Sequence, residues 1–372
     1  MRILKYLILV LMFLNVPSFG VINFGPIVGA FFSTLLYVSI TIYFIANKKS
    51  NPIIPFAILG LLYFLISSIN YTGVLNEFFS NFIKYLILTL FATQLFKETN
   101  SNELCFFILI GAVSILINVL VFPDNYGRYS GLYINPNRAG FVCLLGFSLT
   151  YKLKNIPYRF IAQFLFIIGG IMTFSRYFIL ILLFINLISI VSNKKNVIVL
   201  FTGLIAILII ISSTSLQFNN DRFNALKSVF SDDVDTETIS KNSRDETWAE
   251  YTEVLFENPI LGNGYRSFHG HEFDTVGVKV GVHNSYLMML GESGILPFLM
   301  LIIIYIALFI RSLNHFKTHP EYTYLAIILM TFLLVSHNFF DNLISLFISL
   351  WLYEKVKKDN EIDLLIDTEN DK

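Results

Sequence analysis

The chain has 372 residues, of which 55% are hydrophobic and only 14% are charged, and its formal net charge is zero. Because soluble domains carry about 25% charged residues, this composition excludes an ordinary soluble protein and predicts an all-α integral membrane protein. The neutral charge gives no indication of nucleic-acid binding, and no nucleic-acid partner is expected. Cys105 and Cys143 lie in apolar segments, so we expect them to pack there rather than form a disulfide or a metal site.

Apolar segments recur along the chain and predict about twelve transmembrane helices. Most are long enough to cross roughly 30 Å of hydrocarbon as a helix, and a spanning segment must satisfy its own backbone hydrogen bonds. The segments cover approximately residues 3–19, 22–46, 52–71, 77–96, 104–122, 138–153, 157–174, 176–192, 196–213, 284–310, 321–339 and 342–354. The basic start of the first segment also fits a signal peptide cleaved near Gly20, but a retained helix is favoured because the segment resembles those that follow.

The distribution of lysine and arginine predicts the orientation in the membrane, since short cytoplasmic loops are enriched in both. With the N-terminus inside, the outer loops, apart from one long loop, receive only Arg128, Arg138 and Arg176. Both termini are therefore predicted to be cytoplasmic. The long loop, residues 214–282, is predicted to be extracytoplasmic and to contain short helices. Residues 1–358 are expected to form one polytopic membrane domain, and residues 359–372 an acidic cytoplasmic tail.

The outer arginines can be interpreted in two ways. Their side chains extend to lipid phosphates at the membrane surface, or they bind an anionic ligand. Arg128 lies in a connection rich in Gly, Pro and Asn, in which Asn135 or Asn137 is expected to cap the next helix. Arg176 follows a very short turn at a helix mouth, where a phosphate suits its guanidinium group. The residues alone leave both readings open.

The long loop and its end carry further candidates. Ser243 and Glu246 fit a capping box and predict a helix from 243 to about 256, with Arg244 in its first turn. His283 precedes the next apolar segment and is a natural proton acceptor near neutral pH. A solvated arginine and a histidine that only hydrogen-bonds at a helix start are the alternatives. The His269–His271 pair and the acidic Asp233–Asp235 stretch are weak metal signals, so no metal is expected.

Three more titratable residues are expected to face the interior of the helix bundle, because they are costly in lipid. These are Glu292, His337 and Asp341, and the last two would share a face if their helix extends that far. Hydrogen bonding between helices is favoured over chemistry for all three. The sequence contains no phosphate-binding glycine loop, serine elbow or helical zinc motif. An ATP-driven pump or a serine or zinc hydrolase is therefore not expected, and no cofactor is expected.

Five motifs resemble the bacterial O-antigen ligase and O-antigen polymerase superfamily. They are GRYSGLYINPNRAG (127–140), TFSR (173–176), SRDETW (243–248), NPILGNGY (258–265) and HNSYLMMLGESGIL (283–296), and the core of the resemblance covers about 120–311. The resemblance implies a GT-C-like helical fold and a metal-independent transferase that takes a glycan from an undecaprenyl-pyrophosphate carrier. The functional arginines of the superfamily map onto Arg176 and Arg244, and its functional histidine maps onto His283.

On this reading His283, Arg244 and Arg176 are catalytic. The predicted substrate-binding residues are Arg128, Asn137, Tyr265, Arg266, Asn284 and Glu292. The implied location is the bacterial inner membrane, with the site facing the periplasm. The acceptor is a growing polysaccharide or lipid A–core, and a chain-length regulator is a candidate partner. The sequence does not separate a ligase from a polymerase. A lipid-linked oligosaccharide flippase is the alternative, although such a transporter does not need a long loop with these residues.

Overall fold

The computed structural model of the chain describes residues 1–47, 50–123, 127–212, 244–270 and 280–370. Within these ranges every regular element is helical, and the strand-like pairing is limited to one isolated antiparallel bridge between Gly270 and Val280. The expectation of an all-α protein is therefore confirmed.

The described helices fall before and after the long loop. Before it lie α1 (Arg2–Phe13), α2 (Val16–Phe24), α3 (Pro26–Ala46), α4 (Ile54–Ser67), α5 (Leu75–Phe91), α6 (Thr93–Glu98), α7 (Ser101–Val121), α8 (Pro136–Leu149), α9 (Ile156–Met172), α10 (Arg176–Ser192) and α11 (Val197–Ser212). Within the loop and after it lie α12 (Arg244–Glu250), α13 (Thr252–Glu257), α14 (Ser285–Ser293), α15 (Ile295–Asn314), α16 (Pro320–Leu333) and α17 (Leu343–Asn370).

Among the described helices, three are long and apolar enough to cross a membrane by length and composition, namely α3, α7 and α15. The pair α1 and α2 passes the same test together but is bent by 56°. Shorter apolar helices include α4, α9, α10 and α16. These elements fit an all-α membrane protein, whereas the predicted number of twelve spans is not established by them.

Several predicted segments are broken in the structure, because the backbone turns within them. Asn15 and Gly294 have positive φ angles of 51° and 77°, which a right-handed helix cannot contain, and they separate α1 from α2 and α14 from α15. The helix predicted from 243 to 256 is interrupted at Tyr251. The segment predicted to end at residue 339 ends instead as α16 at Leu333.

The described residues group into two compact units. The first contains residues 1–5, 37–98 and 242–372, and the second contains residues 6–36 and 99–241. In the second unit α8 packs against α7, α9 and α10, and it is buried along nearly its whole length. Close approach is possible because Gly146 has no Cβ, which would lie 2.3 Å from the Phe166 ring. Cys105 and Cys143 are free and buried in this unit, as predicted.

The first unit is built around α4, α14, α15, α16 and α17, which contact one another in sequence along the bundle. Aromatic side chains fill much of its interior, and Trp351, Tyr63 and Tyr305 are almost completely buried. The connections at one end of these helices carry His283, His337 and Arg266, and they form the candidate site described next.

Candidate active site

His283 lies in the connection that enters α14 and has a left-handed backbone, with φ of 48°. The next residue, Asn284, is buried and caps α14 by accepting hydrogen bonds from the backbone N–H groups of Tyr286 (2.9 Å) and Leu287 (3.2 Å). The His283 side chain remains exposed. The sharp turn therefore holds an accessible imidazole at the start of a firmly capped helix.

The imidazole of His283 is paired with a second histidine. The Nδ1 atoms of His283 and His337 are 3.0 Å apart, and the ring centroids are 4.6 Å apart. His337 lies in the turn between α16 and α17, because α16 ends at Leu333. The helix therefore does not extend far enough for His337 and Asp341 to share its face, and these two residues contact different partners.

A buried carboxylate lies behind the histidine pair. Glu292 in α14 is 0% exposed, and its Oε1 atom accepts a hydrogen bond from the backbone N–H of Phe268 (3.2 Å) and contacts Nδ1 of His269 (2.9 Å). The Tyr63 hydroxyl donates to Oε2 of the same carboxylate. The ring of His269 stands edge-on to His337, with centroids 5.0 Å apart. Glu292 thus faces the protein interior, as predicted, and orients His269 beside the pair.

Arg266 forms a second polar cluster in the same unit. Its guanidinium group donates to Glu77 and, at 3.2 Å, to Oδ2 of Asp341. Burial lowers the pKa of Arg266, but Asp341, Tyr265 and Glu77 raise it, and the net change is an increase. The cluster is therefore a stable charged unit in which Arg266 stays protonated.

Tyr265 lies directly beside this cluster, inside an aromatic group. Its ring contacts those of Phe64 and Phe78, and its hydroxyl accepts a hydrogen bond of 2.8 Å from Asn81. Tyr265 is 4% exposed. The buried ring of Tyr265 therefore stabilises the fold around the site.

The motif at 258–265 supports the break between α14 and α15. The backbone N–H of Asn263 donates to the carbonyl of Gly291 (2.7 Å), and that of Ile295 donates to the carbonyl of Pro259 (3.0 Å). A Cβ at Gly294 would lie 1.9 Å from the carbonyl oxygen of Ile260. Only glycine fits both this approach and the positive φ, which explains the glycine at position 294.

Helices α12 and α13 dock on the segment before His283. The indole Nε1 of Trp248 donates to the carbonyl of Val282 (3.1 Å), and the Tyr251 hydroxyl donates to the carbonyl of Val280 (2.8 Å). Burial, and then the charge of Glu292, raises the pKa of the Tyr251 hydroxyl, so it remains a donor. The predicted helix is present from Arg244 to Glu250.

Some sequence-based candidates lie outside the described residues. Ser243, and with it the capping box, His271, and the acidic residues Asp233 and Asp235 belong to this group. The structure describes the backbone of Arg244 but not its side chain. These predictions stay predictions.

The remaining candidates lie in the second unit. Arg128 donates from Nε to the carbonyl of Thr173 (3.1 Å) and from Nη2 to Oδ1 of Asn137 (3.1 Å). Arg176 begins α10, is exposed, and lies close enough to Arg128 for the two positive charges to interact. Asn135 caps α8, as predicted, by accepting from the backbone N–H groups at positions 137 and 138. Two cationic side chains thus lie near each other at one end of α8 and α10.

Backbone strain is concentrated in the motifs. Five non-glycine residues of the described ranges have positive φ angles, and four of them lie in or directly beside the motifs: Ile134, Phe174, Arg266 and His283. Such conformations cost on the order of 1–3 kcal/mol each and persist where the surrounding structure holds them, often at functional sites. The strained residues therefore fall in the same stretches of sequence that resemble the superfamily.

The structure groups the sequence-predicted residues into two sets. His283, Asn284, Glu292, Tyr265 and Arg266 share the first unit with the backbone of Arg244, whereas Arg128, Asn137 and Arg176 share the second. Sequence reasoning did not pair His337 with His283. The sequence did contain one indication of this contact, since the predicted topology puts both histidines on the outer side of the membrane.

A known protein family matches the segment that contains most of these residues. Residues 161–302 match the family described as O-antigen ligase. Thus this segment is similar to an O-antigen ligase domain. The resemblance to the O-antigen ligase and polymerase superfamily is confirmed, and the match supports a glycosyltransferase-like ligase or polymerase role in polysaccharide biosynthesis. The domain includes Arg176, Arg244 and His283, whereas Arg128 and His337 lie outside it. None of the curated proteins compared matches the chain.

Proposed function

We propose that this protein transfers a glycan from an undecaprenyl-pyrophosphate carrier to an acceptor hydroxyl at the outer face of the bacterial inner membrane. The acceptor is a growing polysaccharide chain or lipid A–core. The observation that carries the proposal is an exposed imidazole, His283, which lies at a helix start within the matched segment and contacts a second histidine, His337.

The reaction replaces one C–O bond of the donor sugar by another. The bond between the anomeric carbon and the pyrophosphate oxygen breaks, and its electron pair stays on the departing pyrophosphate. The acceptor oxygen attacks the same carbon and loses its proton. A histidine that takes this proton contributes typically about 10²–10⁴-fold to the rate. We assign that role to His283.

The departing pyrophosphate gains negative charge, which guanidinium groups stabilise through paired hydrogen bonds. Arg244 is the first candidate, because it lies one helical turn before Trp248, whose indole bonds to the residue that precedes His283. Arg176, with Arg128 beside it, is the second.

Contacts within the first unit support the predicted division of the connections into two sides. Residues from predicted outer connections contact one another, as in the pairs Asn70–Gly262, Arg266–Glu77, Arg266–Asp341 and His283–His337. Residues from predicted inner connections do the same, as in Lys5–Glu98, Lys97–Glu354 and Tyr322–Asp359. This separation agrees with the predicted alternation of inner and outer connections.

A groove in the second unit is our candidate for the lipid tail of the donor. It has a volume of about 1010 Å³ and runs along α7 from Phe106 to Phe122, a distance of roughly 24 Å at the helical rise. Apolar side chains dominate its walls. Gly131 and Ile134, in the connection that carries Arg128, also line this groove. An isoprenoid chain lying here would bring its pyrophosphate toward the outer arginines.

We expect transfer to be independent of divalent metal. Among the described residues, no group of three or more His, Cys, Asp and Glu side chains is arranged to hold a metal ion. Purified protein with an undecaprenyl-pyrophosphate-linked donor should therefore turn over in excess EDTA, as should a variant with Asp233 and Asp235 both changed to alanine. Complete loss of turnover in EDTA that Mg²⁺ or Mn²⁺ restores would reject this expectation.

The glycan profile of a deletion strain should distinguish the two acceptors. Loss of a polymerase leaves a single repeat unit on the terminal acceptor, whereas loss of a ligase leaves full-length glycan on the carrier. Complementation with the wild-type chain should restore the normal profile, and complementation with His283→Ala should not. An unchanged glycan profile in the deletion strain would contradict the proposed function.

A further inference from the structure

We propose that His337 is a positioning residue that holds His283 in the tautomer required for proton transfer. In this arrangement the Nδ1–H of His283 donates a hydrogen bond to Nδ1 of His337, which leaves Nε2 of His283 as the proton acceptor. The inference rests on the proposed function and adds a residue that lies outside the O-antigen ligase domain.

The geometry leaves two tautomers to consider. The Nδ1 atoms are 3.0 Å apart, so one of them carries the shared proton, and hydrogen-bond geometry alone does not say which. If His337 were the donor, the lone pair on Nδ1 of His283 would be occupied. Neutral His283 would then carry its own proton on Nε2, and no lone pair would remain for the acceptor hydroxyl. Only the opposite arrangement makes His283 a base.

The surrounding residues hold His337 in place. The Ser285 hydroxyl in α14 donates to the carbonyl of Ser336 (2.6 Å), which ties the His337 turn to the helix that His283 precedes. On the other side stands His269, oriented by Glu292. A Cβ at Gly281 would lie 2.8 Å from Cε1 of His337 and 2.9 Å from the carbonyl oxygen of His269. Residue 281 is therefore required to be glycine, because a side chain there would clash with these atoms.

The proposed step moves one proton and needs no further reactant. The proton of the acceptor hydroxyl moves to Nε2 of His283, and the Nδ1–H remains in its hydrogen bond to His337. The resulting imidazolium is stabilised because its Nδ1–H already has an acceptor. The proton then leaves to solvent, since His283 is exposed. This role corresponds to that of the residue that orients the histidine in other acid–base sites.

The test compares three variants and one control variant of the full-length protein in a transfer assay with undecaprenyl-pyrophosphate-linked oligosaccharide. His337→Ala should lower kcat on the order of 10²-fold with little change in KM. His337→Asn should recover most of the lost kcat, because its Oδ1 can accept the same hydrogen bond. Gly281→Ala should lower kcat in the same way by displacing His337. Gly203→Ala, where no atom lies within 4 Å of the added Cβ, should behave like the wild type.

Several results would overturn the inference. These are a wild-type kcat for His337→Ala, an equal loss in His337→Ala and His337→Asn at normal expression, or a stoichiometric metal ion in the purified protein that is lost with His337. If His283→Ala is inactive while His337→Ala is fully active, only this inference fails. If His283→Ala is itself active, the proposed function fails with it.

Discussion

Replacement of His283 by alanine should abolish glycan transfer while leaving donor binding intact. The change removes the proton acceptor but none of the arginines assigned to the pyrophosphate, so we expect a loss of about 10²–10⁴-fold in kcat. The exposed side chain of His283 and the cap provided by Asn284 mean that the fold should tolerate the change. Transfer and donor binding are measured separately, on purified protein.

Asp232→Ala is the control for this experiment, because Asp232 belongs to the acidic part of the long loop and has no assigned role. It should transfer glycan at the wild-type rate. Near-normal transfer by His283→Ala at normal expression would contradict the assigned base. Loss of both transfer and donor binding would mean that His283 contributes to the binding site rather than to the chemical step.

Replacement of Arg244 by lysine should also remove most activity, although the positive charge is kept. An ammonium group cannot supply the planar pair of donors that a guanidinium group offers to a phosphate. Loss of one contact that forms in the transition state costs typically about 3–4 kcal/mol, or roughly 10²–10³ in rate. The measurement is kcat for Arg244→Lys in the purified transfer assay.

Arg311→Lys provides the matched control. Arg311 lies in the last turn of α15 and is exposed, on the side predicted to face the cytoplasm, so its substitution should have little effect on transfer. Equal activity of Arg244→Lys and the wild type would show that position 244 needs only a charge or none. The assignment of a bidentate contact to Arg244 would then be wrong.

Local features of the fold could be predicted from the sequence because they depend on neighbouring residues. The cap at Asn135 and the helix start at Arg176 follow from short motifs. The helix breaks could not be predicted from hydropathy. At Gly294 the break depends on backbone hydrogen bonds to a distant stretch, as between Ile295 and Pro259.

The candidate site was predicted in part for the same reason. His283 was identified by its motif, and the burial of Glu292 followed from the cost of a carboxylate in lipid. The contact between His283 and His337 joins residues 54 positions apart. No spacing rule relates such residues, since their proximity results from the packing of α14 against neighbouring helices. The assumed helical register of His337 and Asp341 failed because α16 ends at Leu333.

The most direct test of the central claim uses purified protein in proteoliposomes with an undecaprenyl-pyrophosphate-linked oligosaccharide and a glycan acceptor. The proposed function predicts that each lengthened glycan is accompanied by one released undecaprenyl pyrophosphate, without ATP, and that His283→Ala produces neither. Movement of the intact lipid-linked oligosaccharide from one leaflet to the other, with no lengthened glycan and no released undecaprenyl pyrophosphate, would contradict a transferase and identify a transporter.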